Sequence, residues 1–305
     1  MNDLLKKYLF EDHSVRVQAV SLRDTWRQAL LHQHYPEAIT RLLGELVAAS
    51  TLLAANLKFD GSLVLQIQGD GLVALVVVEC HADLGLRATV KIREGHSVPE
   101  SGTMQSLLNP GGKGHFIVVL DPRTKLPGQQ AYQGIVPLEG ETVAEVLQHY
   151  MKASEQLDTR LWLSADGEHV AGLLLQRLPD HGGVTHNSDT SETWERAVQL
   201  TNTLKPDELL STDTDTLIHR LYWQENLSAF EPNQVRWHCP CTRQRVASML
   251  RSLGQAEVED ILSEQETVTV SCDFCGKPYF FDPVDYALLF TSDEPATDFD
   301  DTSIH

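Results

Sequence analysis

The chain has 305 residues, 42% of them apolar and 22% charged, which is the composition of a folded globular protein and excludes wholesale disorder. Its 24 Lys and Arg against 43 Asp and Glu leave a formal charge of −19, which repels phosphate backbones and anionic lipid, so neither nucleic acid nor membrane is an expected partner. No apolar run reaches the ~18–20 residues of a membrane span, and MNDLLKKYLF has no apolar stretch or cleavage site behind it, so a cytoplasmic protein is expected.

Residues 1–35 read as an N-terminal arm with one strand, Val15 to Val20. From Pro36 to Leu57 apolar residues recur every three or four positions (Ile39, Leu42, Leu43, Leu46, Val47, Leu53), which predicts a buried helix. Three strands follow: Leu63 to Gln68, Leu72 to Glu79 and Leu86 to Ile92. Gly69-Asp70-Gly71 and Ala82 to Gly85 are the turns of an antiparallel meander. His115 to Asp121 and Tyr132 to Leu138 read as a further strand pair, and Thr142 to Tyr150 as a helix with Val143, Val146, Leu147 and Tyr150 on one face. Thr159 to Pro179 reads as two strands about an Asp166–Gly167 turn. Strands joined mainly by tight turns, with helices interspersed, predict an α+β core domain over residues 1–179.

After Pro179 the run DHGGVTHNSDTSE holds turn formers and almost no core material, which marks a boundary. A helical linker is expected over residues 180–236. One helix carries Trp194, Val198 and Leu204, and another Leu217, Ile218, Leu221 and Tyr222. Their flanks are polar and acidic, so this apolar stripe folds only by lying on another surface, and the N-terminal sheet is the surface available. Residues 237–291 form a small C-terminal domain, and 292–305 an acidic tail expected to be disordered.

The chemistry-bearing residues are four cysteines: Cys239-Pro240-Cys241, then thirty residues, then Cys272-Asp273-Phe274-Cys275-Gly276. A one-residue spacer in extended chain sends both sulfurs to the same side, and Pro240 biases Cys239 away from helix. The second pair is a knuckle, with Gly276 free to take the backbone conformation that a turn after the last ligand demands. Four converging thiolates make a closed tetrahedral site that suits one Zn²⁺. His238 is a spare donor, but four sulfurs already fill the shell. The spacing admits three uses: a structural zinc staple for a domain too small to hold its own core, a nucleic-acid finger using Trp237, Arg243, Arg245 and Arg251, or a redox switch in which oxidation ejects the metal.

Other motifs dissolve on inspection. Gly69-Asp70-Gly71-Leu72-Val73-Ala74 mimics a dinucleotide fingerprint, but a strand follows it instead of a helix. Asn109 to Gly114 resembles a phosphate loop without the hydroxyl residue after Lys113. Cys80 lies within a strand and reads as core. Nothing in the sequence argues for an enzyme.

The cysteine pattern with Tyr279 and Phe281 downstream resembles the redox switch of the heat shock protein 33 family. The resemblance extends to Tyr8–Arg16, Leu57–Gly71, Tyr132–Leu147, Ser154–Leu163, Gly172–Pro179, Glu208–Tyr222 and Arg243–Gln265. Thr242 stands where that family commonly has serine, and Val17 where glycine is common. The resemblance implies an ATP-independent holdase for unfolded or partly folded clients, inactive when reduced and zinc-bound. It also implies disulfides Cys239–Cys241 and Cys272–Cys275 on oxidation, with homodimerisation of the active form. A constitutive zinc-stapled adaptor for one defined partner is the alternative.

Overall fold

The computed structural model describes residues 3–95, 99–125, 128, 130–179, 187–265 and 267–291. They form two units divided after His238. The turn-rich boundary expected after Pro179 falls largely on 180–186, and the acidic tail on 292–305. Both lie outside the described residues.

The first unit opens with two antiparallel strands, β1 (Leu4–Phe10) and β2 (Val15–Leu22), and a short helix α1 (Asp24–Leu30). The N-terminal arm therefore holds one strand and one helix more than expected. In β1 the pair Lys6-Lys7 interrupts the apolar alternation. In α1 the core face is Trp26, which is fully buried, with the small Ala29 beside it and Leu30 partly buried, too short a stripe to read as a helix period. The start of α1 is held from a distance: the buried Asp3 carboxylate accepts hydrogen bonds from the backbone N–H groups of Arg23, Asp24 and Thr25.

Helix α2 (Glu37–Ala54) lies within the largest apolar cluster and packs on both sheets of the unit. Its apolar residues surround the helix, as befits an element covered on all sides. Gly44 marks its closest approach to the sheet, since a Cβ there would stand 2.4 Å from Ala165 Cβ. The meander follows as β3 (Gly61–Gln68), β4 (Val73–His81) and β5 (Gly85–Ile92), with Cys80 fully buried in β4. Next come α3 (Met104–Leu108), β6 (His115–Pro122), β7 (Tyr132–Pro137) and α4 (Val143–Ala153), capped by Thr142. The last strands of the block are β8 (Thr159–Ala165) and β9 (Val170–Arg177), paired antiparallel about the Asp166 turn.

Strand β9 is buried along nearly its whole length, so its sheet must be covered on both faces. Leu174 and Val20 look toward α2. Leu173, Leu175, Val15 and Val17 look the other way, into a second cluster. Three helices fill that side: α5 (Asn187–Thr201), α6 (Pro206–Ser211, with proline in its first turn) and α7 (Thr214–Tyr222), capped by Asp213. Short strands β10 (Leu227–Ala229) and β11 (Asn233–Gln234) then pair with β1, and β12 (Arg236–Trp237) pairs parallel with β5. The first sheet runs β10-β1-β2-β9-β8, and the second β12-β5-β4-β3-β6-β7.

The second unit holds α8 (Arg243–Leu253), α9 (Gln255–Glu264), a hairpin of β13 (Val268–Ser271) and β14 (Pro278–Phe281), and α10 (Pro283–Thr291). Its described core is small, centred on Val246, Leu250, Val258, Val268, Tyr279, Phe281 and Leu289.

Candidate functional site

The second unit brings the four cysteines together. Cys239 and Cys241 lie on the extended segment that leads into α8, whose first residue follows the cap Thr242. That places Cys241 beside the N-terminal end of the helix. Cys272 and Cys275 sit in the turn between β13 and β14. The turn is closed by Gly276 N–H on Cys272 O (2.8 Å) and Cys272 N–H on Lys277 O (3.0 Å), with Gly276 at φ 67°. This is the left-handed conformation that glycine takes without strain.

All four sulfurs lie within 4.8 Å of one another, with 3.7 Å between Cys239 and Cys272 and 3.4 Å between Cys241 and Cys275. A regular tetrahedron with Zn–S near 2.3 Å has sulfurs ~3.8 Å apart, so the cluster has the dimensions of a closed zinc site. Among the described residues the group contains no histidine. The ring of His238 instead stands edge-on to His81, with centroids 6.2 Å apart.

The local backbone favours thiolates. Cys272 is lowered to about 4, first because the Cys239 thiol donates to it, and further by the N–H groups of Cys275 and Phe274; burial opposes the shift. Cys239, as donor to that thiolate, is pushed up, and burial adds to the rise. Cys275 is raised to about 11, chiefly by burial, although the Lys277 N–H favours its thiolate. The Tyr279 hydroxyl donates to Cys241 Sγ at 3.2 Å. Tyr279 was visible in the sequence as a downstream aromatic, but its role as a sulfur's hydrogen-bond donor was not. A dication held here would take the place of the remaining thiol protons. Cys241 and Cys272 also pack against the small core of this unit, so the sulfur cluster is continuous with what holds the unit folded.

The apolar residues of the linker helices lie in the first unit, on the outer face of its first sheet. Leu217, Ile218 and Tyr222 of α7 are buried there, and Trp194, Val198 and Leu221 pack against the same cluster partly buried. Leu204 belongs to it too, but from the turn after α5, not from the helix. The Tyr222 ring meets Phe10 edge-on at 5.5 Å, and its hydroxyl bonds to Thr201 Oγ1. Sequence reading missed the polar ties at the margin. Asp215 accepts from Lys6 Nζ at 2.6 Å and from the Tyr8 hydroxyl at 2.9 Å, and Arg196 pairs with Glu225. The partners of Asp215 lie more than two hundred residues away, and those of the Arg196 pair 29 residues apart, so neither tie leaves a local signal.

Comparison with known proteins follows the same lines. The family described as Hsp33 protein matches residues 3–282. The 33 kDa chaperonin of Methylobacillus flagellatus is 45% identical over 296 residues, spanning 96% of this chain and 96% of that one. The 33 kDa chaperonin of Chromobacterium violaceum is 44% identical over 292 residues, spanning 96% and 95%. The crystal structure of a 33 kDa chaperonin (heat shock protein 33 homolog) from Thermotoga maritima covers 95% of this chain and 98% of its own, with a TM-score of 0.75. At 20% identity, that is a likeness of fold.

Proposed function

The chain belongs to the Hsp33 family, and from that membership and the thiol geometry we propose that it is a redox-regulated, ATP-independent holdase of unfolding proteins. The observation that carries the proposal is the convergence of four sulfurs within 4.8 Å in a unit with little core of its own. Cys239, Cys241, Cys272 and Cys275 would hold one Zn²⁺ per chain in the reduced state. The metal supplies folding energy, about 10–16 kcal/mol of apparent binding energy in small zinc domains.

Each pair of zinc-bound thiolates would then give up two electrons to an oxidant such as hypochlorous acid, which takes a proton from solvent and leaves as chloride and water. The S–S bonds Cys239–Cys241 and Cys272–Cys275 form as the Zn–S bonds break and Zn²⁺ is released. The cross-pair sulfurs are as near in the assembled cluster. Once the cluster opens, however, only the local pairs stay close, because thirty intervening residues separate the halves and loop closure favours the short rings. The second unit, deprived of its staple, unfolds. The helices that carry Trp194, Val198, Leu217, Ile218, Leu221 and Tyr222 then lose their hold on the sheet. Undocking exposes both the stripe and the sheet face beneath it, a contiguous apolar patch of the kind an unfolded client requires. The formal charge of −19 keeps the exposed form soluble. In this reading the active form is a homodimer in the cytoplasm, and it acts on neither nucleic acid nor membrane. No helix among the described residues is long and apolar enough to cross a membrane.

The test is suppression of aggregation of a thermally unfolding client, with reduced and with oxidised protein. Activity confined to the oxidised form, with peptide mapping that finds the two local disulfides, supports the reading. Equal client binding in both forms would replace it with a constitutive zinc-stapled adaptor.

A further inference from the structure

A cavity of ≈530 Å³ opens in the first unit beyond the C-terminal end of α2, where the two sheets and α4 meet. The thiol centre and the linker stripe do not involve it. Its size falls within the ~300–1,000 Å³ range of small-molecule sites. Most of the wall is apolar: Leu53 of α2, Leu63 of β3, Val118 and Leu120 of β6, and Met151 of α4.

One part of the lining is built differently. Arg16 of β2 and Gln176 of β9 face each other across the first sheet, and the guanidinium donates through Nη2 to Gln176 Oε1. Gln176 is only 2% exposed and is itself fixed by donating to Thr159 Oγ1 at 3.1 Å. The guanidinium is therefore held in place, yet it lacks a counter-ion: its Nε is buried without an acceptor, and no carboxylate pairs with it among the described residues. Lys7 adds positive charge beside it. Its ammonium donates to Ala55 O at 2.6 Å, and its pKa is lowered by burial and by the Arg16 charge. The acid on the described lining, Glu155, is exposed and takes the Tyr150 hydroxyl at 3.1 Å.

A half-buried cation with an unused donor is costly unless something anionic joins it. A carboxylate matches the guanidinium fork with two oxygens, and the adjoining aliphatic wall asks for a hydrocarbon tail. We propose that this cavity binds an aliphatic carboxylate of medium chain length, its head on Arg16 and its tail along Leu63, Leu120 and Met151. An uncharged tail would leave the guanidinium unpaired, and a short anion would leave the wall empty.

The test uses the full-length reduced protein and titrates it with decanoate, 1-decanol and acetate, read by calorimetry and by methyl shifts of Leu53, Leu63 and Leu120. Decanoate is expected to bind saturably and to shift those methyls, at least about tenfold more tightly than decanol, the size of a charge-assisted hydrogen bond. Acetate should not bind measurably. Arg16→Gln should remove the preference for decanoate over decanol. Leu120→Trp keeps Arg16 and fills the tail space, and it should weaken both decyl ligands. Equal affinity for decanoate and decanol in the unaltered protein, methyl shifts elsewhere, or a decanoate preference that survives Arg16→Gln would each overturn the assignment.

Discussion

Replacing Tyr222 by alanine removes a side chain that α7 buries against the sheet and against α5. Tyr222 is 2% exposed, its ring packs edge-on against Phe10 at 5.5 Å, and its hydroxyl bonds to Thr201 Oγ1. Thr201 Oγ1 in turn donates to Ala197 O at 2.8 Å, so in the pair Tyr222 is the donor. Loss of a buried aromatic costs about 3–5 kcal/mol, which at ~1.4 kcal/mol per tenfold raises the undocked fraction by about two to three and a half orders of magnitude. Tyr222→Phe is the graded companion. It keeps the ring and gives up one neutral hydrogen bond, about 1 kcal/mol or roughly a fivefold change. Hydrogen exchange of the α5 to α7 amides in reduced, zinc-loaded protein measures the opening, and client aggregation measures its consequence. Tyr222→Ala should lose protection there by about a hundredfold or more and bind clients without oxidant, with Tyr222→Phe between it and the parent. A variant that loses protection to that extent yet stays inactive under reductant would refute undocking as the exposing step.

Three further outcomes follow from the same structure. A zinc chelator added under reducing conditions should abolish exchange protection in residues 239–291, weaken it in α5 to α7, and leave α2 protected, because α2 is buried in a core that the sulfur cluster does not hold. Gly44→Ala places a Cβ 2.4 Å from Ala165 Cβ and 2.9 Å from Val170 Cγ2, both on packed strands. It should therefore cost about 1–3 kcal/mol and lower the melting temperature of the reduced protein without changing its zinc content. Asp215 is held below the usual carboxylate range, first by its hydrogen bond from Lys6. A pKa depressed in the docked state stabilises that state above the ordinary carboxylate value of ~3.9, and the stabilisation fades as pH falls through the depressed value. Exchange protection of α7 should thus weaken on acidification below about pH 4, by a small, salt-sensitive amount since Asp215 is largely exposed, and Asp215→Asn should remove that dependence.

What could be read in the sequence was what is local. The helix at Glu37–Ala54 and the β3–β5 meander declared themselves because their apolar periods are strong and their turns carry Gly and Asp. The cysteine centre was legible because its ligands come as two short pairs. What stayed hidden depends on distant partners. Strand β1 is a strand because β2 and β10 flank it, although Lys6 and Lys7 spoil its pattern. The two-residue strand β12 exists only through β5, and α6 only by laying Leu209 on the sheet. The Arg16–Gln176 end of the cavity likewise joins residues 160 positions apart.

The most direct measurement is one oxidant titration of reduced, zinc-loaded protein in which released zinc, local disulfides and client binding are followed together. Zinc release and client binding should rise in step as Cys239–Cys241 and Cys272–Cys275 form, and reductant with zinc should reverse both. Client binding already complete before zinc leaves, or zinc fully released with no gain in client binding, would contradict a thiol centre that controls the chaperone surface.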